Sequence, residues 1–182
     1  MVAPIAISCG GRKKKKITIK MIEKEIGDEL RKRGLSISTA ESCTGGLVSH
    51  RITNVSGSSD YYKGSVIAYA NEVKEKILGV AGRTLREKGA VSAECAVEMA
   101  KGVCSLLGSD IGIATTGIAG PTGGTPDKPV GLVYIALATN DYVYHEKHIF
   151  HRDREGNKYE AANAALEVLK RYLLRRARSS ER

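Results

Sequence analysis

Apolar residues recur at Ile19, Ile22, Ile26 and Leu30, the three-to-four spacing of one helix face, and predict a helix over about Thr18–Arg33 that Gly34 stops. Leu35–Ala40 alternates apolar and hydroxyl side chains, the period of a short strand. A polar turn, Glu41-Ser42-Cys43-Thr44-Gly45-Gly46, leads into a helix over Leu47–Thr53, and Gly57-Ser58-Ser59 makes a second turn. Ser65–Ala70 reads as a strand, and Asn71 as the N-cap of a helix through Leu78. Ser92 caps a helix whose stripe is Ala96, Met99, Val103 and Leu106, which makes Met99 and Cys95 packing residues. Ile111–Ala114 is a buried strand, and Gly117–Pro129, with four glycines and three prolines, is a loop. Val130–Ala138 and Tyr142–Phe150 form a hairpin around Asn140-Asp141, and a long helix spans about Glu155–Arg176.

Helices alternating with strands predict an α/β fold: a single-domain, three-layer α/β/α sandwich whose mixed sheet is mostly parallel and ends in an antiparallel hairpin. The domain is placed at 18–176, between a basic N-terminal extension (1–17), expected to be flexible, and a basic tail (177–182). In such sheets ligands collect at the carboxyl ends of strands. Three polar segments fall there: Glu41–Gly46, Tyr69–Lys74 and Thr115–Gly120.

Charge changes this picture little. Of the formal +9, Arg12–Lys16 carries +5 and residues 169–182 another +5, so Ile17–Val168 is net −1. A nucleic-acid-binding domain would carry its charge on a folded face, and one phenylalanine with no tryptophan makes a poor stacking platform. Nucleic acid is therefore not an expected partner beyond weak contact through the ends. No stretch approaches the ~20 apolar residues of a membrane span, and the first residues lack the apolar core of a secretory signal, so a cytoplasmic protein without membrane partners is expected. Cys9, Cys43, Cys95 and Cys104 show neither zinc-site nor disulfide-framework spacing and read as reduced thiols. His145, His148 and His151 read as strand or surface residues, and no metal or cofactor is called for.

Ser42, on a strand-to-helix turn, is the best-placed nucleophile, and a serine needs a neighbouring base. His50 lies two helical turns on, and no lysine stands three residues after Ser42, so the base must come from elsewhere. Lys74 fits: with Asn71 as N-cap it stands at the third helical position, where the helix dipole and partial burial both disfavour its charged form. An ordinary exposed helix lysine paired with Glu72 or Glu75 fits the same spacing. Lys63 is a rival at the wrong end of its strand, and Tyr69 could relay a proton or simply pack. The glycines of SCTGG open the backbone to a phosphate or oxyanion, or form a plain capping turn. Thr115 and Thr116 could hold a carbonyl oxygen or ribose, and Arg152 and Arg154 a phosphate.

Taken together, TAESCTGG, GSSDYYKGSVIAYANEVKEKILGV, KGAVSAE, TTGIAGPTGGTPDKPVGLVYIA and the late DR resemble the C-terminal domain of the CinA family, named for competence and damage induction, over about Met21–Leu174. Stand-alone members are nicotinamide-nucleotide amidases. The resemblance implies metal-independent hydrolysis of nicotinamide mononucleotide (NMN) to nicotinate mononucleotide and ammonia, within pyridine-nucleotide salvage, by a chain that tends to self-associate. It makes Ser42 the nucleophile, Lys74 the base and Tyr69 their neighbour. It places Ser59, Thr116 and Arg154 among substrate or support residues, with Cys43, Thr44, Gly45, Gly46, Asn71 and Gly117 beside them. The longer members' N-terminal nucleotide-processing domain has no counterpart here, so pyrophosphatase activity is not expected. A non-catalytic nucleotide-binding or protein-partner module of the same fold is the alternative.

Overall fold

The computed structural model describes residues 22–179. The basic extension, Cys9, the start of the first expected helix and the last three residues lie outside them. The first helix, α1 (Ile22–Arg33), ends at Gly34 as expected, because a left-handed φ of 63° is open to glycine. The strand β1 (Ile37–Glu41) runs one residue past the predicted end and takes Glu41 into the sheet. Then follow α2 (Leu47–Thr53), a short 3₁₀ turn (Ser58–Asp60) and β2 (Tyr62–Ile67). The predicted strand at Ser65–Ala70 is thus displaced: Tyr62 already pairs with Ile37, and Ala68–Ala70 leave the sheet. Next come α3 (Asn71–Leu78), α4 (Gly82–Glu87) and α5 (Ala93–Leu107), where the Ser92 hydroxyl accepts the Cys95 amide at 3.2 Å as the sequence suggested. No apolar period announced α4, of whose six residues only Leu85 is apolar. The strands β3 (Ile111–Gly117), β4 (Leu132–Ala138) and β5 (Val143–Ile149) complete the sheet, and α6 (Arg154–Ser179) carries the helix into the expected tail.

The sheet order is β2-β1-β3-β4-β5. β1 lies parallel between β2 and β3, while β3–β4 and β4–β5 are antiparallel. Helices cover both faces. Strand positions Ile37, Ile111, Ile113, Val133, Ile135 and Leu137 face α1, α2 and α6 through large aliphatic side chains. The alternate positions Ala40, Ala114, Ala136 and Ala138 face α5 and α3. The second face is small-sided because α5 lies very close: a Cβ at Gly112 would overlap the Ala100 carbonyl oxygen. Among the described residues no helix is long and apolar enough to cross a membrane.

The chain leaves β1 towards β2 on one side, then crosses over to β3 on the other. That reversal opens a crevice beyond the carboxyl ends of β1 and β3.

Candidate active site

Ser42 is the first residue beyond β1. Its backbone N–H donates to the Thr115 carbonyl at 2.9 Å, which ties the turn to β3, and its own carbonyl accepts from Gly45 N–H at 3.2 Å. The side chain is nearly buried, and its hydroxyl is engaged by no other group among the described residues. It opens into a cleft of about 240 Å³. One wall is Tyr69, Asn71 and Lys74 from the start of α3, another is Ala90-Val91 ahead of α5, and Thr116, Gly117, Ala119 and Arg154 close the far side. The cleft therefore unites residues from all three polar strand ends.

Lys74 is 1% exposed. Its Nζ donates to two neutral acceptors, the carbonyl oxygens of Ala68 at 2.8 Å and Tyr69 at 3.3 Å. Burial pushes its pKa below the usual lysine value; Cys95 and Cys43 would oppose this only as thiolates. Burial holds those thiols protonated, with Cys43 pushed up to about 12 and Cys95 to about 11. Cys43 is thus a packed, protonated neighbour of Ser42, not a competing nucleophile. An amine with two N–H groups spent on carbonyls keeps its lone pair for a third direction.

Several expectations need correction. The N-cap of α3 is Ala70, with no side-chain bond to the helix; Asn71 is the first helical residue and Lys74 the fourth. The reason is local: Ala70 takes the extended φ/ψ of −83°/153°, and the Asn71 side chain faces the cleft rim. Tyr69 lies two residues beyond β2 with a largely exposed side chain, and its hydroxyl accepts from Arg154 Nη2 at 2.9 Å. Its contact with Lys74 is through the backbone carbonyl, so its phenol is a rim group rather than a link between serine and lysine. Ser59 is exposed in the 3₁₀ turn ahead of β2, at the opposite end of the sheet from the cleft within this chain. Arg152 turns to Glu160 at 3.9 Å. Thr116 lines the cleft, but its hydroxyl donates to the Ala90 carbonyl at 2.7 Å and so holds the wall ahead of α5. Thr115 is buried against Thr44, 2.7 Å between hydroxyl oxygens.

The largest revision concerns the start of α2. Its amides are not open to a substrate anion, because the Glu41 carboxylate already occupies them. One oxygen accepts Gly46 N–H at 3.0 Å, Val48 N–H at 3.1 Å and the Thr44 hydroxyl at 2.7 Å; the other accepts Ser49 N–H at 2.8 Å. Glu41 is 1% exposed. Thr44 and Gly46 therefore serve this cap, while Gly45, at φ 62°, lies on the outer side beside Lys158. Only the N–H groups of Cys43 and Thr44 in this turn are taken by neither a backbone carbonyl nor the Glu41 carboxylate.

Besides Glu41, sequence reasoning missed Asn157, which is buried and fixes the far wall: its Nδ2 donates to the Ala119 carbonyl at 3.0 Å and its Oδ1 accepts Arg152 N–H at 3.0 Å. The signal for Glu41 was present, since a carboxylate just ahead of a helix start suits the dipole. Nothing local marked Asn157, whose partners come from distant segments.

The family model described as the CinA C-terminal domain matches residues 19–173. A CinA-like protein of Salinibacter ruber is 55% identical over 152 residues, which are 84% of this chain and 37% of that protein. A CinA-like protein of Kosmotoga olearia is 52% identical over 153 residues, covering 84% and 37% of the two chains. The chain thus spans a little over a third of the length of these curated relatives. The crystal structure of competence/damage inducible protein CihA from Agrobacterium tumefaciens superposes with a TM-score of 0.80 at 37% identity, covering 81% of this chain and 91% of that one. A CinA superfamily protein from Klebsiella pneumoniae gives 0.82 at 32% identity, covering 85% and 96%.

Proposed function

Because the chain belongs to the CinA C-terminal domain family, we propose that it is a serine amidohydrolase that converts NMN to nicotinate mononucleotide and ammonia without a metal, in the cytoplasm. The observation that carries this reading is the meeting of Ser42 with a buried Lys74, held only by carbonyls, in one cleft. Two nucleophilic side chains with no shared carboxylate suit base-assisted attack on an amide.

In the proposed reaction neutral Lys74 takes the Ser42 proton as Oγ attacks the carboxamide carbon. The oxygen that gains charge is met by the N–H groups of Cys43 and Thr44; one such donor typically contributes ~3 kcal/mol. Lys74 then returns its proton to the departing nitrogen and ammonia leaves. Water attacks the resulting ester and gives a proton to Lys74, which passes it to Ser42 Oγ as the acyl–oxygen bond breaks; serine and neutral lysine are restored, and the acid released ionises in water to the carboxylate of nicotinate mononucleotide. Arg154, fixed by the Gly120 carbonyl at 2.6 Å and the Tyr69 hydroxyl, keeps further N–H groups for the substrate phosphate.

The test is ammonia and nicotinate mononucleotide release from NMN by the purified chain, its Ser42→Ala variant and its Lys74→Met variant. The reading expects turnover by the parent and loss of at least a thousandfold in either variant. Full activity of Ser42→Ala would refute it, and NMN binding by the parent without ammonia release would make the domain a non-catalytic nucleotide module.

A further inference from the structure

Residues 88–92 join α4 to α5 and give the cleft an apolar wall, Ala90 and Val91. They belong to no helix or strand, so their backbone carbonyls need partners from elsewhere. Three consecutive carbonyls each find a side chain. The Lys88 carbonyl accepts from Lys128 Nζ at 2.6 Å, that of Gly89 from the Ser92 hydroxyl at 2.8 Å, and that of Ala90 from the Thr116 hydroxyl at 2.7 Å. Ser92 is local and Thr116 lines the cleft itself. Lys128 is neither: it comes from 40 residues along the chain, out of the loop between β3 and β4.

That loop is built to present Lys128. Its base is closed by Ile118 N–H to the Leu132 carbonyl at 2.8 Å and Gly131 N–H to the Ile118 carbonyl at 2.7 Å. Residues 121–127 are exposed, but Thr125 and Lys128 bond each other reciprocally, amide to carbonyl, at 2.8 and 3.1 Å. The Thr125 hydroxyl also accepts Lys128 N–H at 3.1 Å. This turn sends the Lys128 side chain across to the segment ahead of α5. Gly89 makes room for it there: its φ of 80° is left-handed, and a Cβ would lie 2.9 Å from the ammonium nitrogen. The Cys95 thiol, in the first turn of α5, feels the positive charge of both Lys74 and Lys128, so the tie stands behind the part of the cleft that holds the base.

We propose that Lys128 is a positioning residue of this site: a latch by which the β3–β4 loop holds the Ala90–Val91 wall at its distance from Ser42 and Lys74, and so sets the width of the cleft for the flat ring of the amide substrate. The use made of that width rests on the amidase reading above; the latch itself does not. Lys128 touches no reacting atom and acts through the Lys88 carbonyl. A bond donated by an ammonium is of the stronger, charge-assisted kind. Thr116 ties the next carbonyl but one to the sheet, so the wall is held from β3 directly and from the loop that follows β3.

The experiment compares the parent with Lys128→Met, which keeps an unbranched stem without donors, and Lys128→Arg, which restores a cation able to reach a carbonyl. Hydrogen exchange of residues 88–92, read by mass spectrometry on the ligand-free protein, should be about tenfold faster in Lys128→Met and return towards the parent in Lys128→Arg. In the ammonia assay KM for NMN should rise about fivefold in Lys128→Met while kcat changes less than about twofold, and Lys128→Arg should recover KM. Exchange that is unchanged in Lys128→Met, or faster evenly over the whole chain, overturns the latch whatever the activity. Faster exchange confined to residues 88–92 and the β3–β4 loop, with KM unchanged, overturns its role in positioning the site. A parent that binds NMN without releasing ammonia overturns the amidase reading instead; the Kd for NMN by calorimetry then replaces KM, with the same fivefold rise expected. A parent that does not bind NMN at all overturns both that reading and the role in the cleft.

Discussion

Replacing Glu41 by alanine should be among the most damaging single changes in the domain outside its apolar core. Its carboxylate accepts four donors between 2.7 and 3.1 Å, three of them amides at the start of α2. Truncation leaves all four without their acceptor in a place where the carboxylate itself is 1% exposed. A stranded buried donor costs about 1–3 kcal/mol. The low end applies here, since Gly46 and Ser49 are only partly buried and water can reach them, so four donors give about 4 kcal/mol. That is a large fraction of the 5–15 kcal/mol typical of a whole domain. In a domain of this size it corresponds to a fall in Tm of roughly 10 °C.

Glu41→Gln refines the argument. Its amide keeps one oxygen as acceptor but turns an NH₂ towards donors, and it removes the charge that the helix dipole favours, so about 2 kcal/mol should be lost. The assay is urea unfolding followed by circular dichroism, with the slope checked for constancy so that the midpoint reports stability. Because the same turn carries Ser42, Glu41→Gln should also lower kcat more than it raises KM for NMN. A loss below 1 kcal/mol in Glu41→Ala would show that water replaces the carboxylate freely and that the turn is not held as described.

Three further outcomes are expected. Gly112→Ala places a methyl group against the Ala100 carbonyl oxygen and Cys104 Sγ, and should cost about 3 kcal/mol or fail to fold, as read by thermal unfolding and soluble yield. Cys43 binds its proton more tightly folded (about 12) than unfolded (9.0), so the native state holds more protons and stability falls by up to about 1.4 kcal/mol per pH unit above 9; Lys74 acts with the opposite sign up to its ordinary 10.5, and Cys43→Ala, measured by urea midpoints from pH 8 to 10.5, should flatten the alkaline loss. Thr116→Val removes the bond to the Ala90 carbonyl and should cost about 1 kcal/mol while raising KM for NMN through the loosened wall, seen in the same unfolding and ammonia assays.

The layers and most element positions were legible because they follow from period. The stripes of α1 and α5, the hairpin about Asn140-Asp141 and the limits of α2 are all set by residues close in sequence. What periodicity could not supply was pairing. β2 begins at Tyr62 because Ile37 N–H reaches the Tyr61 carbonyl and Tyr62 lies opposite Ile37, a choice made between segments 25 residues apart. The same limit explains the site. Ser42, Lys74, Thr116 and Arg154 were placed by strand ends and by resemblance, and the cleft brings them together. That the α2 amides were spent on Glu41, that Tyr69 turned to Arg154 and that Ser59 lay at the far end depended on partners found only in the fold.

Strand parity explains how a buried amine escapes a carboxylate placed so near it in the sequence of the site. Along β1, Ile37, Thr39 and Glu41 point to the face covered by α1, α2 and α6, while Ser38 and Ala40 point to the other. Glu41 is therefore sent to the α2 side, where amides and the Thr44 hydroxyl consume its acceptor sites. Lys74 arrives from α3, in the layer on the opposite face. Cys43 senses both, its thiolate being disfavoured by Glu41 and favoured by Lys74, and burial keeps it a neutral spacer between them. Had the turn begun one residue earlier, the carboxylate would have faced the α3 side, where an opposite charge within a few ångströms would favour the ammonium and silence the base. Ser42 is next in the series of Ser38 and Ala40, its N–H still bonded to the Thr115 carbonyl, and it lines the same cleft as Lys74. The one-residue extension of β1 through Glu41 thus separates the anion that builds the turn from the amine that would use it.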